Sequence, residues 1–279
     1  MVDQGDPRRS RTWAPGSEIL AYYDLDKEGE RLSVGQGLIE RLRTQDILRR
    51  VLPPPPGRVV DVGGATGVYA TWLRDLGYDV RLVDPVPRHV DAARRSGVDA
   101  VLGDARALAE PDGSADAVLL MGPLYHLLGR DERLAALREA ARVARPGGVV
   151  VATAISRFAS LHAGLADGTL ADPVFAAIVA GDLADGVHRT PDPRYFTTAY
   201  LHHPDELGEE ARAAGLSGVR VLAVEGVGGW VVGPVTAALA DDGVREVVLG
   251  LMRRVEAEPS IVGASAHLLV HATPSIPAS

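Results

Sequence analysis

A short apolar strand that runs through a glycine loop into a helix is the feature that most narrows what this chain can become. The strand is Arg58 to Val62, the loop is Asp61-Val62-Gly63-Gly64-Ala65-Thr66-Gly67, and the helix is Val68 to Leu76, closed by Gly77. The same rhythm continues downstream. A strand over Asp79–Val83 ends at Asp84, a helix over Pro87–Arg95 closes at Gly97, and a third strand over Val98–Leu102 ends at Gly103-Asp104. A strand over Ala115–Met121, a helix over Asp131–Ala144, the turn Arg145-Pro146-Gly147-Gly148 and a strand over Val149–Ile155 complete the run. Strands alternating with helices at this spacing predict an α/β fold: a doubly wound, mostly parallel sheet with helices on both faces.

The flanks are less regular. A helix is expected over Gln36–Leu52, stopped by Pro53–Pro56, because proline lacks the N–H and clashes with the preceding turn. Beyond residue 155, helices are expected near 158–166, 173–183, 204–214 and 235–256, with strands over Val219–Glu225 and Ala264–Ala272. The expected organisation is an N-terminal extension and helix over 1–52, then one domain over 53–279 that carries a helical insert at 156–200.

Charge and composition exclude several function classes. With 29 basic against 37 acidic residues the net charge is −8, which lacks the basic footprint of phosphate contacts, so no nucleic-acid partner is expected. The chain has no cysteine, which removes disulfides, thiolate catalysis and Cys-ligated metals. The opening MVDQGDPRRSRTW has no apolar core of a secretory signal, and no stretch reaches the roughly 18 apolar residues of a membrane span. No membrane partner and a cytoplasmic location are the expectation; oligomeric state is not legible.

The glycine loop is a ligand signal. Glycines let the backbone pass close to a bound group, and the following helix offers unpaired N–H groups. The glycines at 63, 64 and 67 do not fit the G-x-G-x-x-G of dinucleotide sites. An acid opens the loop instead, and Asp84 and Asp104 end the second and third strands. Ligands of open parallel sheets sit outside the carboxyl ends of the strands, so all three acids are expected at one crevice. Each also has an ordinary structural use: Asp61 as a helix N-cap, Asp84 as a turn residue before Pro85, and Asp104 as a loop acid.

This ordered set resembles the class I S-adenosylmethionine-dependent methyltransferases, of the bacterial small-molecule type, well over residues 36–155 and loosely beyond. The resemblance implies a Rossmann-like seven-stranded sheet and S-adenosyl-L-methionine as cofactor, with S-adenosyl-L-homocysteine as product. It implies that Asp61, Gly63, Gly64, Thr66 and Gly67 border the methionine part, with the acid helping to hold its ammonium. Asp84 would hold the ribose hydroxyls, Asp104 and Ala105 would border the adenine, and Met121 would lie beside the methyl group.

The acceptor half is written less clearly. Gly122-Pro123-Leu124-Tyr125-His126-Leu127 follows the fourth strand, at the expected mouth of the crevice. His126 is a candidate base and Tyr125 a candidate positioning residue, unless both simply structure the loop. An aromatic-rich stretch from Arg194 to Leu207 stands out in a chain with only 5% aromatic residues. By resemblance to a bacterial subgroup, the insert would be a lid on a substrate pocket, with Tyr195, Phe196, Tyr200 and His202 as contacts and Tyr22 and Tyr23 as an N-terminal contribution. Phe196 and Tyr200 are equally readable as core anchors. Glu225 to Trp230 is expected to border the pocket, and Arg31 either pairs with a substrate acid or forms a surface ion pair. No metalloenzyme spacing is present, so no metal is expected.

The expected function is methyl transfer to the O, N or C atom of a small molecule by in-line displacement. A non-catalytic S-adenosylmethionine-binding module is the alternative. An NAD(P)-dependent oxidoreductase fits less well, since it calls for G-x-G-x-x-G and a Tyr-x-x-x-Lys pair that Lys27, the sole lysine, cannot supply.

Overall fold

The computed structural model describes residues 31–190 and 192–275. Helix α1 (Gly35–Val51) leads into β1 (Arg58–Val62), α2 (Val68–Asp75), β2 (Asp79–Asp84), α3 (Pro87–Arg95), β3 (Asp99–Leu102) and β4 (Ala115–Leu120). A single turn, α4 (Pro123–His126), precedes α5 (Arg130–Val143) and β5 (Ala144–Ile155). Next come α6 (Ala159–Asp167), α7 (Pro173–Asp185), β6 (Val187–His188), β7 (Ala199–Tyr200), α8 (Pro204–Ala213) and β8 (Leu216–Ala223). The described chain closes with α9 (Val232–Ala240), α10 (Asp242–Val255) and β9 (His267–Pro274).

Seven strands form one sheet in the order β3-β2-β1-β4-β5-β9-β8. The first five run parallel, and β9 enters antiparallel to both β5 and β8. This is the doubly wound architecture expected from the alternation. Its apolar positions divide by strand parity. Val60, Val62, Val118, Leu120 and Val150 pack with Leu134 and Leu137 of α5 and Leu207 of α8 on one face. Val59, Leu82, Leu119 and Val151 pack with Ile47 and Leu48 of α1, Leu73 of α2 and Val90 of α3 on the other. Each such side chain, fully buried, contributes roughly 1.5–3 kcal/mol of transfer free energy.

Several boundaries differ from the sequence expectation. β5 starts at Ala144, and its pairing with β4 jumps from Ala115↔Ala144 to Ala117↔Val149, so the Pro-Gly-Gly turn is an irregularity inside the strand. The single helix expected over 235–256 is two, split at Asp241, whose carboxylate accepts the N–H groups of Gly243 and Val244 and so starts a new helix. The short β6–β7 hairpin inside the insert was not foreseen, because two-residue strands carry no periodicity. α1 does not stand apart as an extension, since Ile47 and Leu48 belong to the same core as the sheet.

An ionic clamp fixes α1 against the C-terminal helices. The fully buried Arg43 donates to Asp46 at 2.6 Å, to Glu256 at 2.7 Å and to the carbonyl of Val224 at 3.1 Å. Arg253 of α10 reaches Asp46 at 2.5 Å, and Arg50 reaches Glu256 at 2.8 Å. Breaking a buried network from one side strands the opposite charges. Arg43→Met is therefore expected to lower the free energy of unfolding in urea by about 3 kcal/mol; a loss below ~1 kcal/mol, the size of a surface pair, would show that the clamp does not hold α1.

Candidate active site

Strand order reverses between β1 and β4, and a cavity of about 710 Å³ opens outside their carboxyl ends. Its floor is the glycine loop from Gly63 to Thr66, the β2 end at Asp84–Val86, the β3 end at Gly103–Ala105, and Met121–Pro123 after β4. Tyr125–Leu127 and, from α1, Gln36, Glu40 and Thr44 form the walls, with Thr153, Ile155 and His267 opposite. Ala159, Ala163, Phe175, His188, Tyr195 and Phe196 of the insert form the roof.

At Gly63 and Gly64 the loop leaves no room for a side chain. Gly63 has φ +70°, and a Cβ there would fall 2.7 Å from Cδ of Pro123. A Cβ on Gly64 would fall 2.5 Å from Oδ2 of Asp61. Asp61 thus lies directly against the loop, in the central strand, with Leu82 and Leu119 as its lateral partners. It is fully buried, and neither carboxylate oxygen has a hydrogen-bond partner among the described residues. Burial, followed by the nearby charge of Asp84, pushes its carboxyl up to about 7. Asp61 does not cap α2, whose N-cap is Gly67.

The other two acids are engaged within the protein. Asp84 accepts the N–H of Ala65 at 3.0 Å and of Val86 at 2.9 Å, and its Oδ1 lies 3.1 Å from Nδ1 of His89. It therefore ties the glycine loop to the β2 turn, and the turn use of this residue is real. Asp104 accepts the backbone N–H of Arg106 at 2.9 Å and the guanidinium of the same residue at 2.8 Å, and Arg106 also pairs with Glu132. Both carboxylates line the cavity.

Two histidines at the cavity have opposite characters. Burial, and then the neighbouring His89, lowers His126 to about 3, so its imidazole is neutral at physiological pH and a weak base. Tyr125 stands edge-on to it, with ring centroids 4.5 Å apart. Burial also disfavours charge on His267, but Glu40 and Glu225 outweigh it and raise this ring to about 9.

Comparison with known proteins decides the family. The family model "Methyltransferase domain" matches residues 60–152. An uncharacterized methyltransferase of Mycobacterium tuberculosis is 39% identical over 100 residues, covering 35% of this chain and 40% of that one. The chain thus spans about two fifths of that relative's length. A demethylmenaquinone methyltransferase of Mycolicibacterium gilvum is 31% identical over 205 residues, covering 72% of this chain and 84% of the relative. The chain belongs to the class I S-adenosylmethionine-dependent methyltransferase family. In fold it is similar to an S-adenosylmethionine-dependent methyltransferase of Thermotoga maritima (TM-score 0.57, 20% identity, 91% of this chain and 98% of that one).

For a methyltransferase of this family, the structure sorts the expected site residues. Gly63, Gly64, Thr66, Asp84, Asp104, Ala105, Met121, Tyr125 and His126 line one cavity, as do Arg31, Tyr195 and Phe196. Asp61 and Gly67 lie just behind, in the strand and at the start of α2. Arg31 also pairs with Glu40 at 2.5 Å, the ion-pair use expected of it. Tyr195 donates to Asp172, the N-cap of α7, at 2.6 Å. Phe196 is held at φ +85°, a conformation rarely kept by a bulky residue unless its surroundings fix it.

Three expected substrate contacts lie outside the cavity lining. His202 is fully buried 3.2 Å from Glu210, which is also held by Arg133, and Tyr200 lies under the Arg133 guanidinium at 3.6 Å. Both seat the insert on α5 and α8 and do not reach the cavity. Trp230 is 49% exposed and donates to the carbonyl of Ala264 at 2.8 Å, with its ring tilted against His162, outside the cavity lining. Tyr22 and Tyr23 lie outside the described residues. Among the described residues, no helix is long and apolar enough to cross a membrane.

Sequence reasoning missed His89, Glu40, His188 and His267. Each comes from a separate element, and only the fold brings them to the cavity.

The orphan carboxyl of Asp61 has a measurable signature. A carboxyl raised from 3.8 to about 7 disfavours ionisation in the folded state only. The resulting destabilisation is absent below about pH 4, grows as pH rises, and is complete above about pH 7. Asp61→Asn escapes it. Denaturant unfolding should show the variant gaining up to about 4 kcal/mol relative to wild type as pH rises through that window; a difference independent of pH would mean that Asp61 titrates normally.

Proposed function

We propose that the protein transfers a methyl group from S-adenosylmethionine to a small-molecule acceptor. The observation that carries this reading is Asp61: a buried carboxyl without a partner among the described residues, pressed against Gly63 and Gly64, where a Cβ would clash. An ammonium group at the loop would supply the missing positive charge. The donor set fits the cofactor as a whole, with Asp84 and Asp104 lining the crevice and Asp61 directly behind its glycine loop. Quinone-directed relatives support a small-molecule acceptor.

When bound, S-adenosylmethionine supplies a sulfonium methyl group with a good leaving group already attached. The protein's own work is then alignment and exclusion of water, worth several kcal/mol through proximity. Asp84, locked to Ala65 and Val86, keeps a carboxylate lone pair that would accept from the ribose hydroxyls. Asp104, oriented by Arg106, would border the adenine. Met121 and the wall of Tyr125 and His126 would confine the methyl group. With so weak a basicity, His126 positions the acceptor as a neutral imidazole and is not the base that takes its proton. The insert over 156–200 roofs the acceptor side as a lid.

Calorimetry tests this directly. S-Adenosylmethionine and S-adenosylhomocysteine should both bind, and NADH should not. Asp84→Ala, checked for an unchanged fold, should weaken cofactor affinity by about 1.5–3 kcal/mol, or roughly 10–150-fold. Tight NADH binding would favour an oxidoreductase. Cofactor binding with no methylated product from any metabolite extract, scored by mass spectrometry, would favour a non-catalytic binding module.

A further inference from the structure

The acceptor side of the cavity holds a polar cluster that no sequence motif signals. The ligating atoms of Glu40 in α1, Glu225 after β8 and His267 at the start of β9 all lie within 4.8 Å of one another. Glu225 is fully buried, and both of its carboxylate oxygens are engaged from the protein side. It accepts the Ser265 hydroxyl at 2.8 Å, the His267 N–H at 3.0 Å and Nδ1 of His267 at 2.5 Å. That carboxylate fixes the ring and assigns a proton to Nδ1. Nε2 has no hydrogen bond to any described residue, and the ring, with 22% of its side chain exposed, lines the cavity.

Every charged or titratable neighbour bears on the proton of this ring. Glu40, 3.7 Å from Nδ1, and Glu225 favour the imidazolium. Arg31, which pairs with Glu40, opposes it, while Tyr69 of α2 lies near both carboxylates and His162 of α6 near Glu225. The two acids prevail, so Nε2 presents a charged donor to a cavity otherwise walled largely by apolar groups. A donor of this kind prefers an anionic oxygen, because charge-assisted hydrogen bonds are about twice as strong as neutral ones.

The geometry points to His267 as the acceptor-holding residue, which docks an ionised hydroxyl, a phenolate or enolate, on Nε2 while Glu225 orients the ring. This assignment rests on the methyltransferase reading and narrows its acceptor atom to oxygen. The step balances without a base. The lone pair of the oxyanion forms the new O–C bond, and the electron pair of the broken C–S bond stays on sulfur. The positive and negative charges disappear together into a neutral ether and thioether, and no proton moves. The ether no longer pairs with the imidazolium, which favours release.

The test uses 4-nitrophenol, whose ionised form is coloured, added to the full-length protein loaded with S-adenosylhomocysteine. Wild type should bind it as the phenolate, so that colour develops at a pH where the free phenol is mostly colourless. His267→Gln and Glu225→Gln should each bind it at least tenfold more weakly and without the colour, at unchanged S-adenosylhomocysteine affinity. Either variant suffices if the other does not fold. No phenolate binding by wild type, equal binding by a folded variant, or binding abolished by EDTA (which would make the cluster a metal site) overturns the assignment. Failure of wild type to bind S-adenosylhomocysteine would instead overturn the methyltransferase reading itself.

Discussion

A negative charge without a partner, buried in the central strand, is the constraint around which this structure is organised. Asp61 sits between Leu82 and Leu119 in the sheet, on the face that otherwise carries Val59, Leu73 and Val151. Burying an unpaired ionised carboxylate is among the most expensive things a core can do, and the group responds by holding its proton up to about pH 7. Nothing in the folding of the sheet requires an acid here, and a valine would pack better. Strain of this kind is kept where a ligand relieves it. The loop above has glycine at the positions where any Cβ would strike Asp61 or Pro123.

The rest of the fold divides into what builds the crevice and what closes it. Parallel strands β1 to β4 bring the three acids to one edge, and Asp84 stitches loop and turn together through backbone N–H groups. The closing elements come from far along the chain. β9 inserts antiparallel beside β5 and places His267 opposite Ile155 at the cavity mouth. The clamp of Arg43, Asp46, Glu256 and Arg253 fixes α1 so that Glu40 faces it. The insert is seated through Arg133, Glu210, His202 and Tyr200, which leaves Tyr195 and Phe196 to face the cavity. The floor of the cavity is thus built by local motifs and its walls and roof by long-range packing.

That division explains what was legible in the sequence. The glycine loop, the acids at the strand ends and the 2-versus-3.6 periodicity are local signals, and they place the sheet and the floor of the cavity down to individual residues. The acceptor side rests on tertiary contacts. His267 reads as an unremarkable strand residue, and Glu40 as one more charge on a helix. His202 shows the opposite error: an aromatic- and histidine-rich stretch suggests a pocket wall, yet it is not one continuous strand, because a short helical turn over Pro193–Tyr195 and the positive φ of Phe196 break it before β7. Phe196 turned to the cavity, whereas His202 went beneath it to Glu210. Burial of this kind is set by α5 and α8, which the stretch itself does not encode.

The central claim concerns the charge state of Asp61 and what relieves it. Carbon-13 NMR of the aspartate side-chain carboxyls, titrated with and without S-adenosylmethionine, measures it most directly. The account predicts that the Asp61 resonance titrates near pH 7 in the free protein and moves down into the ordinary carboxylate range once the cofactor's ammonium is beside it. A resonance that titrates at the same pH with saturating cofactor would contradict the account, because the buried charge would then have nothing to do with the ligand.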